Sequence, residues 1–455
     1  MKDSKPFIKV FFTDAGGKEQ EAGIILMGEF GSGFAYHPDY TGPALDPVNL
    51  DYRRQSGRQF PLRADGRLHG VFEDSLPDGF AHQMLCHDEP EYARKPDVER
   101  LFWLGSRTYG PFRFQAMDAI GVESPIRGEK KLEQIRKRVI AFHLNATDFD
   151  GEKITNKFTR YALTYAGGSQ PKCLYEHTGS FAGQDGGRAH KRTQWIAKFN
   201  VNSKVTNGAT VEASMLDLSA ACGINTPEVR VRRLPDSNED VLLVNRFDCV
   251  DTDQGFRPLH KVSLSALTGI DNMGKSRAAT GDFSDILKAV KEVSADPVED
   301  TEELFRRMLF QVAINNADNH FKNFEMLLTE SGWRLAPSFD TVPMDCVPGT
   351  APFATAVFGE AFPTVSQKFV IEQGRNFGLA RHRAAAIAAD VFEACAKVDH
   401  HLDTFGVTPV DRERVHRAMP LRALRDLGVA FRRLSEIEAA KSLLIDEPAR
   451  VVGAP

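Results

Sequence analysis

The sequence predicts a two-lobed α+β protein: a β-rich N-terminal module, a small sheet carrying one helix, and a helical C-terminal lobe. Three observations predict it. The chain has 455 residues, more than the roughly 100–200 residues of one ordinary domain. Short apolar runs bounded by Gly, Pro, Asn and Asp clusters dominate its first half, as strands and turns do. Beyond residue 260 the apolar residues recur at helical spacing, as in Leu304, Phe305, Met308, Leu309, Val312 and Ala313. The expected division is a module over 1–125, a sheet lobe over 126–250 and a helical lobe over 251–455.

Taken in order, residues 7–12 read as a strand that meets the turn cluster Asp14-Ala15-Gly16-Gly17, and residues 22–27 as a second strand. Residues 28–33 and 38–50 read as loops. Residues 71–80 suggest a short apolar element, a turn and a helix start; residues 97–104 suggest a helix stopped by Gly105. The charged stretch 127–138 reads as the solvated face of a helix or linker. Residues 160–165 and 172–177 form an expected hairpin around Ala166-Gly167-Gly168-Ser169-Gln170-Pro171, followed by a polar loop over 178–193 and a strand over 194–199. Val211, Met215, Leu218 and Cys222 share one helix face, and Gly223 stands where a C-terminal glycine cap belongs. Strands are expected over 228–234 and 241–247, a hairpin over 323–336, and helices over 381–398 and 412–440.

Composition excludes several classes. Apolar residues at 42% and charged residues at 26% are ordinary for a globular chain and exclude a largely disordered or fibrous one. With 57 Lys and Arg against 62 Asp and Glu, the net charge of −5 argues against bulk nucleic-acid binding. The six cysteines form no C-x-x-C pair, which removes a zinc knuckle, and a chain this long is no disulfide scaffold. The opening run mixes charges among its apolar residues, unlike a signal peptide, and no stretch of about 18 apolar residues could span a membrane. The expectation is a cytoplasmic protein with reduced thiols and no membrane contact.

The most informative segment is Asn315-Asn316-Ala317-Asp318-Asn319-His320-Phe321-Lys322-Asn323. Phosphoryl transfer needs a carboxylate to orient and deprotonate the attacking hydroxyl, and a nearby oxygen ligand for Mg²⁺. Asp318 and Asn323 have the D-x-x-x-x-N spacing of a kinase catalytic loop. Taken alone, this spacing is equally that of a loop held by Asx turns. Asp340 follows on the far side of the expected hairpin, where a second metal ligand would fall. Lys198, on an apolar strand, calls for solvent or an anion at its tip, and Glu212 on the next helix is its ion-pair candidate. The glycines of the 166–171 turn allow backbone N–H groups to approach a phosphate, although neither G-x-x-x-x-G-K-[ST] nor G-x-G-x-x-G is present. Each signal is weak; their order is that of a two-lobed kinase.

On these residues the chain resembles the HipA family of serine/threonine kinases, toxins of HipA–HipB-type toxin–antitoxin pairs. Phe72-Glu73-Asp74-Ser75-Leu76-Pro77-Asp78-Gly79 is similar to the family's F-x-x-L-L-P-D/E-G motif, with Ser75 for the first leucine. Gly168-Ser169-Gln170-Pro171-Lys172 resembles its G-A-Q-x-K phosphate loop, and Trp195-Ile196-Ala197-Lys198-Phe199 the strand of its nucleotide lysine. Asn245-Arg246-Phe247-Asp248 resembles the E-R-F/Y-D hinge, with Asn245 for Glu. Asn316-Ala317-Asp318-Asn319-His320-Phe321-Lys322-Asn323-Phe324 is similar to N-T-D-x-H-x-K-N-F, and Pro337-Ser338-Phe339-Asp340 to P-x-Y/F-D.

The resemblance implies a protein-kinase-like fold and an ATP- and Mg²⁺-dependent activity. Asp318 would be the catalytic base, and Asn323 and Asp340 would hold Mg²⁺. Lys198 and the loop residues Gly167, Gly168, Ser169 and Gln170 would meet the ATP phosphates. His320 would lie beside the nucleotide, and the backbone near Asn245 and Phe247 would meet adenine. It also implies a protein substrate such as an aminoacyl-tRNA synthetase, and a separate HipB-like helix-turn-helix antitoxin through or beside which any DNA contact would run. At the family's autophosphorylated serine this chain has Tyr165, beside Thr164; Thr164 and Ser169 are the substitute hydroxyls. The competing readings are an inactive corepressor and a small-molecule kinase.

Overall fold

Alternation along β1 (Phe7–Thr13) turns Ile8, Val10 and Phe12 inward, as a period of two requires. The computed structural model describes residues 7–28, 31–54, 58–60, 67–105, 110–115, 126–143, 168–178, 192–200, 206–237, 239–252, 255–270 and 281–446. β1 pairs antiparallel with β2 (Glu19–Gly28), β2 with β3 (Gly31–Tyr36), and β3 with β4 (Gln59–Phe60). The short helices α1 (Gly70–Glu73), α2 (Gly79–Asp88), α3 (Pro90–Ala93) and α4 (Asp97–Leu104) follow. Gly105 ends α4 with a positive φ of 61°. β5 (Phe112–Gln115) returns to the free edge of β1, giving the order β4-β3-β2-β1-β5. Residues 31–33, expected in a loop, are strand: Gly31 pairs with Gly28 and Gly33 with Leu26. Cross-strand pairing outweighs the local turn preference of glycine there.

The second sheet has the order β6-β7-β8-β10-β9. β6 (Ile126–Arg127) leads into α5 (Glu129–His143) and pairs parallel with β7 (Lys172–Thr178). β8 (Arg192–Phe199) lies between β7 and β10, with α6 (Gly208–Ala221) and β9 (Val229–Arg233) before β10 (Asp240–Asn245). The charged stretch read as a solvated face is α5. Its Lys130, Lys131 and Lys137 are exposed, while Leu132, Ile135 and Val139 enter the core. Glu133 and Arg136 are also buried, and Arg136 pairs with Glu239. The expected strand over 160–165, most of the polar loop after 178, and Thr164, Tyr165 and Gly167 lie outside the described residues.

A small hairpin of β11 (Cys249–Thr252) and β12 (Gly255–Pro258) precedes β13 (Lys261–Ser263) and α7 (Leu264–Thr268). β14 (Gly281–Asp282) opens α8 (Phe283–Val293), whose N-terminus carries an Asp282–Asp285 capping box. α9 (Pro297–Ala313) starts with Pro297 after Asp296, whose carboxylate accepts the Glu299 N–H. β15 (Glu325–Thr329) and β16 (Gly332–Leu335) form the expected hairpin and join β13 in a three-stranded sheet. β17 (Thr355–Ala356) pairs with β14, and α10 (Gln367–Asn376), α11 (Arg381–Cys395), α12 (Val398–Thr404), α13 (Pro409–Ala418) and α14 (Leu421–Asp446) complete the lobe. The single helix expected over 412–440 is two. Pro420 lacks an N–H and forces Met419 into extended backbone, φ −108° and ψ 123°, before α14 begins.

The apolar cores join segments far apart in the chain. One apolar cluster runs from Ile8, Val10 and Phe12 through Phe72 and Leu264 to Met308 and Phe392. A second joins Phe80 and Met84 of α2 to Trp195, Ala197 and Phe199 of the sheet lobe. The N-terminal module therefore packs against both lobes. His260 marks one such seam. It is 3% exposed, its Nε2–H donates to the Leu45 carbonyl at 2.8 Å, and its ring touches Phe12, Phe112 and Trp333.

Burial disfavours the imidazolium and pushes the His260 pKa down to about 4, the Leu45 hydrogen bond only partly opposing it. An unfolded histidine binds its proton near pH 6.5, so acidification favours unfolding from there down to about pH 4. We expect the stability difference between wild type and His260→Gln to shrink by roughly 3 kcal/mol between pH 7 and pH 4. Urea titrations across that range measure it; a constant difference refutes the assignment.

Candidate nucleotide and phosphoryl-transfer site

β8 carries Lys198 on the sheet face that looks toward α6. Antiparallel register sets it directly opposite Lys172 of β7 and Leu242 of β10. Like charges facing each other across a strand pair are destabilising unless other groups compensate. Here Lys198 Nζ donates to Glu212 Oε1 at 2.5 Å and to Asp340 Oδ1 at 3.3 Å. The Lys198 and Glu212 side chains are 8% and 3% exposed, whereas that of Asp340 is 45% exposed. Asp340 thus ties down the ammonium with one oxygen and keeps an open side.

The surrounding chain holds these groups in place. The Asn207 N–H, at the start of α6, donates to Asp411 Oδ2 at 2.7 Å, and Ser214 Oγ donates to the His401 carbonyl at 3.2 Å. The helix bearing Glu212 is therefore moored to the helical lobe. Asp340 has a positive φ of 56°, a conformation that Asp tolerates better than most side chains. Arg307 Nη2, buried, donates to the Ala336 carbonyl just upstream at 2.8 Å, and Asn316 Nδ2 reaches the Asp340 carbonyl at 3.5 Å.

The electrostatics follow the geometry. Burial works against the Lys198 ammonium, but the Glu212 and Asp340 carboxylates outweigh it and raise its pKa. The Lys198 ammonium, opposed by burial and helped by Lys172 and His320, holds the Asp340 carboxyl below its usual range. Burial, with repulsion from Lys198, brings the Lys172 amine down to about 8. Two ammonium groups thus lie in one cluster with two carboxylates, a charge arrangement suited to an anion that arrives with its own cation.

The segment 315–324 lies beside this cluster. Asn315, also at positive φ, donates from Nδ2 to the Cys346 carbonyl and accepts the Met344 N–H. Ala354 N–H donates to the Ala317 carbonyl at 2.8 Å, and Thr355 Oγ1 to the Asn319 carbonyl at 2.6 Å. Between these moorings Asp318 is exposed, and neither its side chain nor that of Asn323 makes a hydrogen bond among the described residues. Nδ1 of His320 is buried without a hydrogen-bond partner among the described residues. The Asp340 carboxylate and the Asn323 amide offer hard oxygen atoms of the kind that Mg²⁺ takes. On the hinge side, β10 ends at Asn245. The Phe247 ring stacks on Phe339 with centroids 6.1 Å apart.

Of the residues expected from sequence, Lys198, Asp340 and His320 form one electrostatic cluster, Phe247 stacks on Phe339, the residue before Asp340, and Asn245 ends β10 opposite Trp195 of β8. Gly168, Ser169 and Gln170 precede β7, with Gly168 at a positive φ of 94° and Ser169 exposed. Two further residues belong to the site, Lys172 and Asp78. Lys172 could have been found from the register of β7 and β8, but the connection between these strands is too long for a turn to reveal it. Asp78 accepts the Gly168 N–H at 2.6 Å and the Lys322 ammonium at 3.0 Å; no local pattern joins positions so far apart.

Removing one partner of a buried ion pair leaves the other uncompensated, at a cost of about 3–5 kcal/mol. We expect Lys198→Ala to destabilise the chain by about that much, and Lys198→Met with Glu212→Leu to recover most of the loss. Urea unfolding compares them; a double variant no better than the single one would contradict the pairing.

Comparison with known proteins agrees with this architecture. Residues 164–398 match the family model described as HipA-like C-terminal domain, and residues 16–115 that of the HipA N-terminal domain. A putative kinase of Sinorhizobium fredii, Y4mE, is 27% identical over 195 residues, 41% of this chain and 46% of that protein. The match thus spans less than half the length of that relative. A chain of the Shewanella oneidensis complex of HipA, HipB and operator DNA superposes with a TM-score of 0.66 at 16% identity, covering 95% of this chain and 99% of the other. The Helicobacter pylori proinflammatory kinase CtkA gives a TM-score of 0.36 at 12% identity, over 56% of this chain and 92% of its own. With the C-terminal family model alone matching more than half of its residues, this chain belongs to the HipA family.

Proposed function

We propose that the protein is an ATP- and Mg²⁺-dependent serine/threonine protein kinase, the toxin of a HipA–HipB-type pair. The observation that carries this reading is the buried Lys198–Glu212 pair with Asp340 at 3.3 Å from the same ammonium. A lysine so held presents a fixed positive charge to phosphate oxygens at no further ordering cost.

Each residue then has a task. Lys198 and Lys172 bind the phosphates, and Gly168, Ser169 and Gln170 lie at the entry to β7 where the phosphate loop runs. Asp340 and Asn323 would hold Mg²⁺, which when bound neutralises charge on the phosphates. Asp318, exposed and without a side-chain hydrogen bond among the described residues, orients the attacking hydroxyl and takes its proton. His320 satisfies its buried nitrogen on the nucleotide side. Asn245 and Phe247, with Phe339 behind them, border the adenine position. We further propose a translation component, such as an aminoacyl-tRNA synthetase, as the substrate. A HipB-like helix-turn-helix antitoxin, on a separate chain, would be the partner through or beside which DNA is met. The HipA–HipB–operator complex of Shewanella oneidensis supports this by fold alone.

The test is transfer of labelled γ-phosphate from Mg²⁺–ATP to host protein. We expect Asp318→Asn to lose about 10²–10⁴-fold in rate while still binding nucleotide. Label found only on small molecules would refute the protein-kinase reading. So would wild type and variant that are equally inert while antitoxin binding persists, the behaviour of a corepressor.

A further inference from the structure

We propose that Asp78, carried by the N-terminal module, is a positioning residue of the phosphoryl-transfer site. It clamps the phosphate loop at Gly168 to the catalytic loop at Lys322, so that the module works in cis as part of the nucleotide site. The inference deepens the kinase reading above and rests on it.

One carboxylate serves two loops that are far apart in the chain. Oδ1 accepts the Gly168 N–H at 2.6 Å and Oδ2 accepts the Lys322 ammonium at 3.0 Å. Phe80 N–H donates in turn to the Gly168 carbonyl at 2.9 Å. Both backbone polar groups of Gly168 are thus held by residues 78–80. Asp at the residue just before a helix ordinarily caps it with its side chain. Asp78 stands at that position of α2 and makes no such cap; its oxygens face the two loops instead. Gly79 between them has φ +48°, and a Cβ there would lie 2.2 Å from the Gly168 oxygen and 2.3 Å from its carbonyl carbon. No side chain can enter, so the close approach of the two backbones is built in.

The segment is anchored at both ends. Asp74 accepts the Ser263 N–H and hydroxyl, each at 2.8 Å, fixing it to the helical lobe. Phe80 is buried in the sheet-lobe core with Trp195 and Phe199. Residues 74–80 therefore bridge the lobes. Burial alone would raise the Asp78 pKa, but Lys322 and the Gly168 N–H bring it below the usual range, so the clamp is charged at neutral pH.

The test compares wild type, Asp78→Asn, Asp78→Glu and Lys322→Met. Readouts are affinity for a fluorescent ATP analogue with Mg²⁺, KM for ATP, kcat and melting temperature. We expect Asp78→Asn to weaken nucleotide affinity and raise KM at least tenfold, with a smaller change in kcat. Asp78→Glu should recover part of the loss, and Lys322→Met combined with Asp78→Asn should be no worse than Asp78→Asn alone. A fall in melting temperature with affinity and KM unchanged would make Asp78 a structural strut and overturn the proposal. A wild type that binds the analogue without transferring phosphate refutes the kinase reading alone, since affinity still decides the role of Asp78. A wild type that binds no nucleotide overturns both.

Discussion

A lysine ammonium taken almost completely out of water is costly, and the cost is met only when carboxylates are held against it in good geometry. Lys198 meets that condition with Glu212 and Asp340, which come from a different helix and a different lobe. Much of the surrounding architecture serves this meeting. The Asp411 bond to the start of α6 and the Ser214 bond to the His401 carbonyl keep Glu212 in place. The left-handed backbone at Asp340, with Arg307 gripping the Ala336 carbonyl upstream, fixes the third member.

This mooring gives α6 an unusual allegiance. It packs beside the small sheet yet is bonded to helices of the C-terminal lobe, with Cys222 at its end 3.8 Å from Cys395 of α11. A helix held from that side keeps Glu212 fixed against the C-terminal lobe while its partner Lys198 rides on the sheet. The cleft charge then depends on how β7 and β8 sit against a fixed Glu212, with Lys172 opposite Lys198 setting the positive side.

The N-terminal module is likewise more than an appendage. Its sheet shares one apolar core with the helical lobe, its α2 enters the core of the sheet lobe, and the turn between α1 and α2 touches both loops of the site. Gly70 meets Ala266 so closely that a Cβ would lie 2.5 Å from the Ala266 Cα. Gly70 thus answers to backbone approach between distant segments, and Gly79 both to such an approach and to its positive φ.

Local chemistry made much of this protein readable in its residues. The alternation of β1, the helical face of Val211, Met215, Leu218 and Cys222, the hairpin after Asn323, the D-x-x-x-x-N loop and the Lys198–Glu212 pairing all follow from spacing and side-chain type. What depends on partners distant in sequence was not readable. Gly31 and Gly33 became strand because β2 pairs with them. Glu133 and Arg136 were buried because α5 packs on the sheet. Pro420 was readable in principle, yet helical spacing on both sides concealed its break. Lys172 and Asp78 gained their places only when strand register and lobe packing brought together charges separated by tens to hundreds of residues. Periodicity reports what neighbours along the chain do, whereas a site is made by contacts that only the folded backbone brings together.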